Sequence, residues 1–117
     1  MSVLVLYICV ALIAYRDIDP ETLEQKYYSQ PVQALAVDGV NLRYLDEGLR
    51  PQAGVLVPTL LLLHSHYFSM HMWEAWLAPL SEHYRVIRFD MTSHGLTGPD
   101  PSNDYSMARS QQLIEAL

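Results

Sequence analysis

The side chains best suited to chemistry are five histidines, His64, His66, His71, His83 and His94. Imidazole serves as a metal ligand or as a proton carrier near neutral pH, so both uses have to be weighed. His64 and His66 are two residues apart on a segment that reads as extended, and with His71 they converge on a metal only if the backbone bends. No Cys or carboxylate stands at a typical ligand spacing beside them, so no metal is expected. His83 reads as a helix-end cation and His94 as a loop hydrogen-bonder. Ser106, Ser110 and the histidines are not read as a triad.

Elements must hold these residues in place. Ala34 to Val37 and Val40 to Leu45 flank Asp38-Gly39, a pair that tolerates positive φ and so predicts a two-residue hairpin. After a Gly- and Pro-containing loop, Thr59 to Leu63 is a continuous apolar run, as expected of a strand buried on both faces, and it delivers His64 at its end. Trp73, Trp76, Leu77 and Leu80 recur at helical spacing and predict one helix over Trp73 to His83, with Pro79 near its end. Tyr84 to Asp90 reads as a second buried strand. Strand, helix and strand in that order imply a right-handed parallel crossover. Thr92 to Asp104 reads as a loop, and a further helix begins near Tyr105 with Ser106 as its N-cap. Upstream, Pro20 and the acids around it open a short helix within Asp17 to Gln30. Met70, Met72, Trp73 and Trp76 read as core or pocket wall.

The whole chain of 117 residues has room for one domain. Half of it is apolar, which excludes a disordered or collagen-like chain. Seven Lys and Arg against 13 Asp and Glu give a net charge of −6 with no basic cluster, so nucleic acid is not an expected partner. The single Cys9 excludes a disulfide scaffold and reads as inert packing. Residues 1–15 carry no charged side chain, and as a helix they would reach about 22 Å, short of a hydrocarbon core of about 30 Å. Three readings stay open: an uncleaved membrane-inserted or signal-anchor helix, a signal peptide, and a buried soluble helix. The first is preferred, giving a transmembrane or membrane-associated chain with secretion to the periplasm or exterior as the alternative; orientation is open.

The hairpin, then LLLLHSHYFSMHMWEAW, then YRVIRFDMTSHGLTGPDP and a helix opening at DYS, resembles the N-terminal third to half of an α/β-hydrolase. The resemblance covers Val32 to Leu117. It implies an incomplete α/β fold, organised as residues 1–15 (anchor or signal), 16–31 (tether or short helix) and 32–117 (partial hydrolase domain). In the family the third strand ends in His-Gly, a Trp begins the first helix, and the fourth strand leads into Asp-x-x-Gly-His-Gly-x-(Ser/Thr). His64-Ser65, Trp73 and Asp90 to Thr97 stand at those places. Ser65 and Ser93 replace glycines, and Thr92 stands where proline is common.

The resemblance implies a hydrolase of the esterase or lipase type that cleaves an ester or related bond in a small apolar substrate through a Ser-acid-His triad, without metal or organic cofactor. An Asp nucleophile fits these residues equally. It also implies that His66, the residue after the His-Gly position, gives its backbone N–H to an oxyanion hole. In the family the nucleophile stands on a strand-to-helix elbow, Gly-x-Ser-x-Gly, with an acid and a late histidine after it; no Gly-x-Ser occurs here, so all three would lie downstream and this chain by itself is expected to be inactive. The alternative is a non-catalytic, membrane-associated remnant or binding module. In the family the strand order is 1-2-4-3-5, so Thr59 to Leu63 would present an open edge and the isolated chain would be poorly soluble.

Overall fold

The computed structural model describes residues 3–117; Met1 and Ser2 of the apolar segment lie outside the described residues. Its centre is a four-stranded sheet in the order β1-β2-β4-β3, with β1 Gln33–Val37, β2 Val40–Gly48, β3 Thr59–Leu63 and β4 Arg85–Phe89. Asp38 and Gly39 both take positive φ, 44° and 85°, which is the geometry a two-residue hairpin needs, and Val37 faces Val40 across the turn. β2 runs antiparallel to β4, whereas β3 runs parallel to it with Leu61 opposite Ile87.

The strand period of two divides the core between the sheet's faces. On one face Val40, Leu42 and Phe89 pack beneath Leu113 of α4 (Met107–Glu115). On the other, Val32, Leu45, Met70 and Leu96 pack beneath Leu23 and Tyr28, at and just past α2 (Pro20–Tyr27). Each large aliphatic or Phe side chain fully withdrawn from water contributes about 1.5–3 kcal/mol.

Capping follows the sequence. Asp19 accepts a hydrogen bond from the Thr22 N–H at the start of α2, and Ser106 accepts one from the Arg109 N–H at the start of α4. α2 is bound firmly to the sheet: Glu24 accepts from the Val32 N–H at 2.8 Å and pairs with Arg43 of β2. α4 is fixed by Arg109, which donates to Asp100 at 2.6 Å and pairs with Asp38 of the hairpin turn at 3.5 Å. The Arg109 hydrogen bond, helped by Ser102, holds the Asp100 carboxyl down to about 2.

Three expectations are corrected. First, Trp73 to His83 is not one helix: a 3-10 helix spans Met70–Trp76 and α3 spans Leu77–Ser81. Pro79 has no N–H to reach back to Ala75, so the α-helical ladder cannot run through this point, and Pro79 is accommodated in the first turn of α3. The aromatic stripe is not packed away either, since Trp76 is 59% exposed.

Second, the run Thr59 to Leu63 is not buried on both faces. β3 is the last strand of the sheet, its middle leucines are half-buried and Leu63 is exposed.

Third, the described N-terminal helix falls short of a transmembrane span. α1 (Val3–Ala14) is 12 residues long, and no helix among the described residues is long and apolar enough to cross a membrane. At about 1.5 Å per residue it reaches only about 18 Å. No residue of α1 is buried.

Candidate functional site

Parallel pairing of β3 and β4 makes both strands end at the same edge of the sheet, and the loops that follow them meet there. In open α/β sheets this carboxyl edge is where ligands bind. The β4 loop is organised by Asp90, which is wholly buried and accepts hydrogen bonds from the Met70 N–H at 2.7 Å and the Leu96 N–H at 2.8 Å. Burial pushes the Asp90 carboxyl above its ordinary range, and the two N–H bonds oppose that shift. Gly95, at φ 50°, lies directly over the carboxylate. Ser93 holds a left-handed φ of 62° at a place where glycine is expected, so this loop carries backbone strain.

On the β3 side, Ser65 is not in the left-handed region; Tyr67 is, at φ 69°. The left-handed residue therefore lies two positions after the one where the family has glycine, and a turn from the Ser65 carbonyl to the Phe68 N–H at 3.1 Å closes the loop. His66 is exposed within it, and its N–H meets no acceptor among the described residues.

His64 joins the two loops. Its Nδ1 lies 3.0 Å from the Ser65 carbonyl and its Nε2 accepts from the Met91 N–H at 3.0 Å, which fixes the neutral ring with the proton on Nδ1. His94 donates from Nδ1 to the Thr92 carbonyl at 2.9 Å. The His94 ring centre lies 4.9 Å from that of His64 and 5.6 Å from that of His66. Three histidines thus converge around an open hollow that Tyr105 and Ser110 also line. In the sequence a helical segment and the whole of β4 separate His94 from His64, and only the parallel crossover brings them together.

His71 lies elsewhere, between the rings of Tyr27 and Tyr28 at 5.5 and 5.6 Å. No group of three or more His, Cys, Asp or Glu among the described residues is placed to hold a metal ion.

No family model matches the chain, and no curated protein matches it. Solved structures do. A hydrolase from Pseudomonas aeruginosa PA01 is 32% identical over 75% of this chain and 32% of its own length, with a TM-score of 0.61. The enol-lactonase from Burkholderia xenovorans LB400 is 28% identical, over 72% of this chain and 31% of its own, at a TM-score of 0.61. A membrane phospholipase A matches 97% of this chain and 36% of its own at a TM-score of 0.62, and at 22% identity shows the fold alone. The chain carries the N-terminal portion of the α/β-hydrolase fold. It spans about a third of the length of these hydrolases.

Within that hydrolase fold, His64 to Ser69 is the loop after the third strand and Asp90 to Thr97 the loop after the fourth. No Ser-His-acid relay forms among the described residues, because both His64 nitrogens and the His94 Nδ1 are bound to the main chain. What the site offers is a main-chain donor at His66 beside a rigid, histidine-tied pair of loops.

Sequence reasoning missed one buried network. Arg88, 1% exposed on β4, donates to Glu47 and Glu74 at 2.7 Å each. Burial works against its charge, yet the two carboxylates hold its pKa above the ordinary value. Glu74 precedes the Trp76 turn, so this triad fixes the 3-10 helix under the β3 loop.

Proposed function

We propose that this chain is the oxyanion-side portion of a membrane-associated α/β-hydrolase that cleaves an ester or related bond in a small apolar substrate. Its nucleophile (Ser or Asp), acid and late histidine come from chain following Leu117. The observation that carries this reading is the His66 N–H, without an acceptor and held at the carboxyl edge by the His64 bridge. A donor so placed is what a developing oxyanion requires, and removing one such donor costs about 10²–10³ in kcat. The enol-lactonase, at 28% identity, supports the bond type.

The test uses the product of the whole coding region with a p-nitrophenyl ester. His66→Pro, which deletes the N–H, should lower kcat about 10²–10³-fold, whereas His66→Ala, which keeps it, should stay within a few-fold of the parent. Equal activity of the two variants would remove His66 from the oxyanion hole.

Membrane association rests on α1. A helix apolar on every face suits a medium that is apolar on every side, and Tyr15 and Arg16 at its end suit a headgroup layer. Inserted from one leaflet, it needs no span. The chain should float with phosphatidylcholine vesicles, and deletion of residues 1–15 should leave it at the bottom of the gradient; flotation of both would assign the contact elsewhere.

A further inference from the structure

Between α2 and the two site loops lies a cavity of about 210 Å³. Leu23, Tyr27 and Tyr28 wall it on the α2 side, and Ser69, His71 and Leu96 on the other. An apolar cavity of about 150 Å³ is large enough to take benzene, so this one accommodates a single ring with a small substituent. Its walls are also the right kind. The Tyr27 and Tyr28 rings stand tilted and edge-on to His71, leaving ring edges and faces for a further aromatic ring to pack against. The cavity is half open rather than an isolated void. It shares Ser69, His71 and Gly95 with an open groove lined by Tyr67, Phe68 and Met72, which begins next to His66. Tyr67 and Phe68 are both exposed along that groove. α2 is fixed as a wall by the Glu24 bonds to Val32 and Arg43.

We propose that this cavity binds a monocyclic aromatic group, and that in the complete enzyme it seats the apolar arm of an aryl or arylalkyl ester whose reacting carbonyl lies at His66. The second half of this statement rests on the proposed function; the first does not. Leu23 and Tyr27 then act as specificity residues that judge the arm's shape, away from the bond that breaks.

The test is a titration of the product of the whole coding region with p-cresol, and in parallel with 4-methylcyclohexanol, a saturated ring of the same outline, followed by NMR of the tyrosine and histidine rings. p-Cresol is expected to bind saturably with a Kd of about 1 mM or below, and 4-methylcyclohexanol about fivefold or more weakly than that. Leu23→Trp, which fills the cavity, should weaken p-cresol binding at least about tenfold. Tyr27→Ala, at an exposed edge of the wall, should weaken it about fivefold and decides the matter if the Trp variant does not melt cooperatively. Absence of saturable binding overturns the proposal, as does binding indifferent to both variants. Equal affinity for the two probes overturns the aromatic class. p-Cresol binding together with an inert full-length product would defeat only the hydrolase reading, and ester hydrolysis without p-cresol binding would defeat only this one.

Discussion

Asp90→Ala is expected to lower stability by about 2–6 kcal/mol, because it strips the only acceptor from two buried backbone donors, the Met70 and Leu96 N–H groups. Each buried donor left unsatisfied costs about 1–3 kcal/mol. The effect is large because the carboxylate is wholly buried. Asp90→Asn should cost less, since one oxygen still accepts, although its amide then confronts the other N–H. Urea unfolding followed by tryptophan fluorescence measures this as a fall in midpoint at constant slope. A fall under about 0.5 kcal/mol would mean that the β4 loop is not organised around Asp90. The pH dependence has a definite sign. Burial raises the native Asp90 pKa, so the folded chain holds this proton to higher pH than the unfolded chain does. The contribution of Asp90 is therefore full below about pH 4 and declines as the pH rises through its native pKa.

Gly95→Ala should be at least as damaging as Asp90→Asn, about 3 kcal/mol or more. A Cβ at Gly95 would stand 2.1 Å from Asp90 Oδ2 and 2.3 Å from its Cγ, well inside contact distance. The carboxylate cannot yield without giving up both of its hydrogen bonds, and the positive φ of 50° adds about 1–2 kcal/mol for any L side chain. Because the two residues compete for one volume, their effects should not add. Once Asp90→Ala has removed the carboxylate, the Gly95 methyl meets open space, and the double variant should be more stable than the sum of the single losses by about 1 kcal/mol or more. Strict additivity in that cycle would contradict the geometry.

The features legible in the sequence were those written locally. Asp38-Gly39 between two β-rich runs specified its hairpin, Ser106 its helix start, and the apolar β3 and β4 segments their parallel crossover, because each signal lies within a few residues of the structure it causes. Features made by distant partners were not legible. Arg88 in the middle of a strand that reads as apolar is explained only by Glu47 on β2 and Glu74 on the 3-10 helix, which no periodicity links to it. The convergence of His94 on His64 and His66 depends on how the sheet closes. The Trp73 to His83 stripe predicted helical structure there, but neither its α-helical period over Trp73 to Trp76 nor its continuity, since the missing N–H of Pro79 outweighed helical spacing. Ser93 is the instructive middle case: its departure from glycine marked a strained position, and its φ shows the strain. At Ser65 the same substitution marked nothing, because the left-handed residue is Tyr67.

The central claim is that these residues supply the oxyanion side of a hydrolase and that the rest of the catalytic machinery follows them. The most direct measurement is to read the coding sequence beyond the Leu117 codon in the source genome and to assay its full product, beside residues 1–117, for hydrolysis of a p-nitrophenyl ester. The expected result is an open frame that continues into a strand and a Gly-x-Ser-x-Gly or Asp-bearing elbow, with activity in the full product and none in residues 1–117. A stop codon directly after Leu117, or a full product without an elbow and without activity, would contradict the account and leave a binding or membrane-associated role for the fold.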